Sequence, residues 1–128
     1  MQIKEVIDYW IESGESNLSA AQDLFKTRHY VKCLFFCHLC VEKIIKGLIV
    51  KKSKEPPLPI HDLLKLSEKT TLRFSENQLK LLAQINEFNI RARYDDIKLK
   101  FHKTATKEYA QQYLHQTEDL FSWLRKKL

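Results

Sequence analysis

The chain has 128 residues, 44% hydrophobic and 30% charged, with a formal net charge of +6. That length and balance suit one globular domain over residues 1–128, exclude a disordered chain, and need no disulfide or metal staple. Two glycines and three prolines are too few turn residues for a sandwich, a barrel or a doubly wound sheet, and no glycine-rich phosphate loop can form.

From about Ile3 to Lys26, apolar residues recur every three or four positions (Ile3, Val6, Ile7, Trp10, Ile11, Leu18, Ala21, Leu24, Phe25), which predicts a long amphipathic helix. Gly14 lies inside it and implies close packing or a bend. After a short connection at Thr27-Arg28-His29, a second helix is expected over about Tyr30 to Lys52. It is apolar on nearly every side between Cys33 and Val41, as the central helix of a bundle would be. Lys51, Lys52 and Lys54 close it with charge that complements the helix dipole.

Pro56, Pro57 and Pro59 forbid helix and mark the one clear loop. His61-Asp62-Leu63-Leu64-Lys65-Leu66 then reads as a short helix with Asp62 near its N-cap. Ser75-Glu76-Asn77-Gln78 is a capping box opening a helix with Leu79, Leu82, Ile85 and Phe88 on one face. Asn89 to Phe101 is dense in charge, breaks the periodicity and reads as a polar interruption. A last helix is expected from about Thr104 to Lys127, with Tyr109, Tyr113, Leu120 and Leu124 on its apolar face. The expected fold is all-α: an antiparallel up-and-down bundle of four long helices plus one short helix.

Met1-Gln2-Ile3-Lys4-Glu5 does not read as a secretory signal, and the longest apolar run, Cys33 to Val41, is interrupted by His38 and too short for a membrane span. A cytoplasmic protein with no membrane association is expected. Cys33, Cys37 and Cys40 sit among Leu34, Phe35, Phe36 and Leu39, so they read as small core residues rather than zinc ligands. No Glu is followed three positions later by a His, which sets aside a ferritin-like metal site, and no cofactor is expected. Glu42 and Lys46 have the i, i+4 spacing and order of an intrahelical ion pair. Lying on the most buried helix, they must face a cleft, a partner or each other. Arg91-Ala92-Arg93-Tyr94-Asp95-Asp96 could hold a phosphate and stack on a base, or simply knit a loop through ion pairs.

Taken together, the pattern resembles the HEPN domain family of small helical bundles. Three places carry the resemblance: Glu42-Lys43-Ile44-Ile45-Lys46 on the second helix, His61-Asp62-Leu63 after the proline loop, and Arg93-Tyr94-Asp95-Asp96. The first helix fits through Leu18-Ser19-Ala20-Ala21-Gln22-Asp23-Leu24, so the match spans nearly the whole chain. The resemblance implies a homodimer with a composite cleft in which Glu42, Lys46, Arg93, Tyr94 and Asp96 bind a nucleotide or RNA. It also implies a possible partner, a small nucleotidyltransferase, in a prokaryotic toxin–antitoxin pair. Two Trp, seven Phe and five Tyr suggest aromatic surface to spare for a symmetric interface. Catalytic family members are metal-independent ribonucleases with an Arg and a His a few residues apart. Here His102 comes late after Arg93, so a non-catalytic binding role is expected. A ribonuclease using His102 as a displaced acid or base is the alternative, and a purely structural bundle the third reading.

Overall fold

Six helices follow one another along the chain: α1 (Ile3–Lys26), α2 (Tyr30–Ser53), α3 (Leu63–Thr70), α4 (Glu76–Arg91), α5 (Asp95–Thr104) and α6 (Lys107–Arg125). The structure is a computed structural model that describes residues 2–128, apart from the side chains of Asp95 and Asp96. No strand occurs among the described residues. The all-α expectation therefore holds, with one correction: there are two short helices, not one. The segment that reads as a polar interruption, Asn89 to Phe101, forms the end of α4, the turn after it and most of α5. Phe101 explains this. It is fully buried and stacks on Phe88 at 5.6 Å between ring centroids, while the Arg91 guanidinium lies over its ring at 4.5 Å. One aromatic anchor thus docks a helix whose other residues are mostly charged and exposed.

α2 is the central helix, and every other helix packs against it. Its buried residues run almost without break from Cys37 to Val50, as expected for a helix apolar on nearly all sides. Cys33, Cys37 and Cys40 are fully buried there as free thiols. The neighbouring Cys33 and burial together push the Cys37 thiol up, and burial does the same to Cys40. All three pack as small apolar groups. Leu79, expected on the buried face of α4, instead lies at the rim, 41% exposed.

The caps form as the sequence implies. Asp62 accepts hydrogen bonds from the Leu64 and Lys65 amides, and Ser75 and Gln78 close a reciprocal capping box. No glycine serves at a helix end. Arg28, Lys54 and Thr71 take the left-handed conformation instead, with φ of 65°, 62° and 58°. Both glycines are spent on close packing. A Cβ on Gly14 would stand 3.3 Å from the Cys40 carbonyl oxygen and 3.2 Å from Phe121, and one on Gly47 would stand 3.2 Å from the Trp10 Cβ.

Gly14→Ala is expected to lower stability by about 1 kcal/mol. Overpacking against a backbone carbonyl costs roughly 1–3 kcal/mol, against a gain of about 1 kcal/mol in helix propensity. Urea unfolding of the two proteins checks the sign; a more stable variant would mean that α1 and α2 can move apart freely.

Candidate functional site

Phe35, His38, Glu42 and Lys46 are spaced by three, four and four residues, so they form one stripe along α2. The last three are buried although polar: His38 is fully buried, Glu42 2% exposed and Lys46 5% exposed. A buried charge is tolerated only when paired. Glu42 has two partners. Its Oε2 accepts a hydrogen bond from Lys46 Nζ at 3.1 Å, and its Oε1 accepts one from His61 Nδ1 at 2.9 Å.

His61 stands just before α3, on the loop carrying the prolines, and is fixed from several sides. Its backbone carbonyl accepts from His38 Nε2 at 2.9 Å. The start of α3 is tied to α4 by Asn86, whose Oδ1 accepts from the Leu63 amide at 3.0 Å and whose amide donates to Asp62. Because a carbonyl can only accept, His38 carries its proton on Nε2. Its Nδ1 has no hydrogen-bond partner among the described residues and lies 3.8 Å from Glu42 Oε1, as two acceptors facing each other would. The same logic places the His61 proton on Nδ1 in the neutral ring. Its other nitrogen stays free on a side chain 55% exposed.

Burial by itself would raise the Glu42 carboxyl, but the His61 hydrogen bond and the Lys46 charge outweigh it and hold it below its ordinary 4.5. Burial also holds His38 below its ordinary 6.5. The His61 carbonyl and Glu42 oppose that shift and are outweighed, while the field of Arg93 adds to it.

The ends of the stripe meet residues from other helices. Lys46 Nζ lies 5.7 Å from the centroid of the Trp10 ring, and Lys43 Nζ 5.3 Å from it, on α1 where Gly47 lets that tryptophan approach. At the other end the Arg93 guanidinium lies over the Phe35 ring at 5.5 Å. The seven-residue step from Phe35 to Glu42 spans about 10 Å of helix, which separates the exposed Arg93 from the exposed imidazole of His61. Tyr94 follows Arg93 and is 61% exposed.

Of the residues singled out from sequence, Glu42 and Lys46 thus fall on one stripe and Arg93 lies over its Phe35 end, while Tyr94 is placed only as the exposed residue after Arg93. The Asp96 side chain lies outside the described residues. His102 is elsewhere: with Arg28, Lys32 and Lys98 it lines a cavity between α5 and the α1–α2 connection, and Arg93 is not among the lining residues. Sequence reasoning gave no role to His61, His38 or Trp10. The i, i+4 spacing of His38 and Glu42 was the one local signal available for His38.

A family model described as "HEPN domain" matches residues 7–127. The crystal structure of TT1696 from Thermus thermophilus is similar in fold, with a TM-score of 0.82, 19% sequence identity, 95% of this chain covered and 98% of that one. No curated protein matches the chain in sequence. No described helix is long and apolar enough to cross a membrane.

Glu42 and His38 make stability depend on pH with a definite sign. The folded-state value of Glu42 lies below its ordinary value, so its contribution is whole above the carboxylate range and is lost as pH falls through the folded value. His38 is also depressed, so the unfolded chain takes up its proton first and stability declines as pH falls below 6.5. Glu42→Gln is expected to lose about 1–3 kcal/mol near pH 7 and much less at an acid pH below the folded value, where the parent's own carboxyl takes up its proton. Urea unfolding at both pH values measures it; an equal deficit at both would show that charge is not what Glu42 contributes.

Proposed function

This chain belongs to the HEPN domain family, and on that footing we propose that it is a non-catalytic binding module taking the phosphate of a nucleotide or short RNA along the α2 stripe. One observation carries this reading. A charged cluster is built into the most buried helix, and it ends in an exposed imidazole and an exposed guanidinium on the same side of α2. Arg93 supplies a forked donor for phosphate oxygens, Tyr94 a flat ring for a base, and His61 a second donor when protonated. Glu42 anchors Lys46 and His61 rather than meeting the ligand, since its two oxygens are already engaged.

Non-catalytic binding is favoured because His102 lines the cavity beside the α1–α2 connection, and Arg93 is not among the described residues lining it. A ribonuclease relying on those two would have to bring them together at one phosphate.

The homodimer is part of the proposal, on different grounds from aromatic surplus. Every Phe and Trp is at least partly buried, and Tyr9 and Tyr94 are the exposed aromatic residues. What stands exposed beside Arg93 is an aliphatic set, Ile90, Ile97 and Leu99 at 53%, 42% and 64%, together with Tyr94. A second copy seated there would cover apolar surface next to the stripe and enclose its open side. A small nucleotidyltransferase is the other partner that could cover it, in a toxin–antitoxin arrangement and in a cytoplasmic setting.

Calorimetric titration at low salt with a panel of nucleotides and a short RNA tests the reading. Weak, salt-sensitive binding is expected, weakened about tenfold or more in Arg93→Ala and His61→Ala, which remove exposed groups. Lys46→Ala is a poorer probe, because it strips a buried carboxylate of one partner. Absence of binding, or full binding by both variants, would leave the stripe a structural ion-pair network. Sedimentation showing only a monomer at micromolar concentration would remove the dimer.

A further inference from the structure

Buried polar atoms in native proteins nearly always find a partner, and His38 Nδ1 has none among the described residues. The ring is fully enclosed, and its Nε2 is tied to the His61 carbonyl at 2.9 Å. That leaves Nδ1 facing Glu42 Oε1 at 3.8 Å. The oxygen is already engaged, since it accepts from His61 Nδ1 at 2.9 Å, while Oε2 accepts from Lys46 at 3.1 Å. Three nitrogens thus converge on two oxygens, and the one left over has no proton to offer while its ring is neutral.

A proton on Nδ1 changes this arrangement. The gap to Glu42 Oε1 must then close by about 1 Å to reach hydrogen-bond length. His38 is anchored at Nε2, so the carboxylate is the group that turns. Lys46 keeps Oε2, and the two imidazoles are left to compete for Oε1. A buried imidazolium, unscreened by water, gains more from that oxygen than the exposed His61 ring, which water also serves. His61 then keeps its carbonyl contact with His38 but loses the bond that orients its ring.

The charges that bear on His38 come from three elements. Burial opposes a proton there most, and His61 from the loop and Arg93 from the turn after α4 add to that. The His61 carbonyl and Glu42 favour it and are outweighed. His38 therefore charges below 6.5, and Glu42, held below 4.5, is still a carboxylate in the upper part of that range.

We propose that His38 is a proton-operated latch on the α2 stripe. Neutral, it leaves Glu42 to hold the His61 ring outward; protonated on Nδ1, it takes the shared oxygen and sets that ring loose. The latch deepens the binding function proposed above and rests on that reading for its consequence, which is that ligand is released in mild acid. The movement itself requires no ligand.

Imidazole nitrogen NMR of the free protein across mildly acid pH tests the movement and needs no variant. At neutral pH, His38 should carry its proton on Nε2, and the His61 Nδ1 proton should be protected from exchange. Below 6.5, His38 should gain a second proton in the folded chain, with the His61 Nδ1 proton exchanging about tenfold faster over the same range. A His38 that stays neutral until the chain unfolds, or a His61 proton still protected once His38 is charged, would overturn the latch. Its consequence is read by calorimetry with the dinucleotide uridylyl-uridine, whose charge is constant over this range. Binding should weaken by up to about tenfold per pH unit as His38 charges. His38→Gln, which keeps a donor for the His61 carbonyl but takes no proton, should abolish that loss. An equal acid loss in His38→Gln would overturn the regulation. No binding at any pH, with the NMR signature present, would overturn the binding reading and leave the latch standing.

Discussion

The Glu42 carboxylate is the constraint around which the central helix is organised. It sits at 2% exposure in the middle of α2, where an uncompensated charge would cost several kcal/mol. Both of its oxygens must therefore be held, and they are held by groups from two places: Lys46 one turn along the same helix, and His61 from the loop after the prolines. The second of these is a tertiary contact. Satisfying the carboxylate brings the loop onto α2, and the loop in turn presents the start of α3 to Asn86 on α4. The charge thus holds the His61 side chain against α2, beside the loop contacts made by His38 and Asn86.

That dependence separates what could be read from sequence and what could not. Helices α1 and α6 announce themselves by period, α2 by a long run apolar on nearly every side, and the starts of α3 and α4 by Asp62 and by the Ser75–Gln78 box, all of which are local signals. The Glu42–Lys46 pair is local as well, being one turn long. The Glu42–His61 bond joins residues 19 apart through a proline loop whose path no local pattern specifies. α5 was hidden for a related reason. Its helix is held by Phe101 packing on Phe88 and Arg91, contacts made in three dimensions, while its own sequence reads as a run of charge.

The scarcity of glycine has consequences beyond fold class. With Gly14 and Gly47 both used to let helices approach, the left-handed turn positions fall to Arg28, Lys54 and Thr71. Each of those places a polar side chain at a helix end, and in two of the three it is a cation near the carbonyl terminus of the helix just finished, where the dipole favours it. The net charge of +6 is therefore not only a solvated surface. Part of it is drawn to helix ends by the way this chain makes its turns.

A buried ion pair is often replaceable by apolar residues at no loss of stability, so stability alone is a weak reason for Glu42 and Lys46. Two roles remain for the cluster: docking the loop, or displaying a group. Docking alone would be served by a His61 ring packed out of solvent, as His38 is. The His61 ring is instead 55% exposed, held at one nitrogen and free at the other. The loop is already secured by the His38 bond to the His61 carbonyl and by the Asn86 contacts. What Glu42 adds beyond these is the orientation of an imidazole that faces outward, on the side of α2 where Arg93 also stands. An imidazole held at Nδ1 with its other nitrogen turned outward is of little use to the fold, and this supports the binding surface proposed along the stripe.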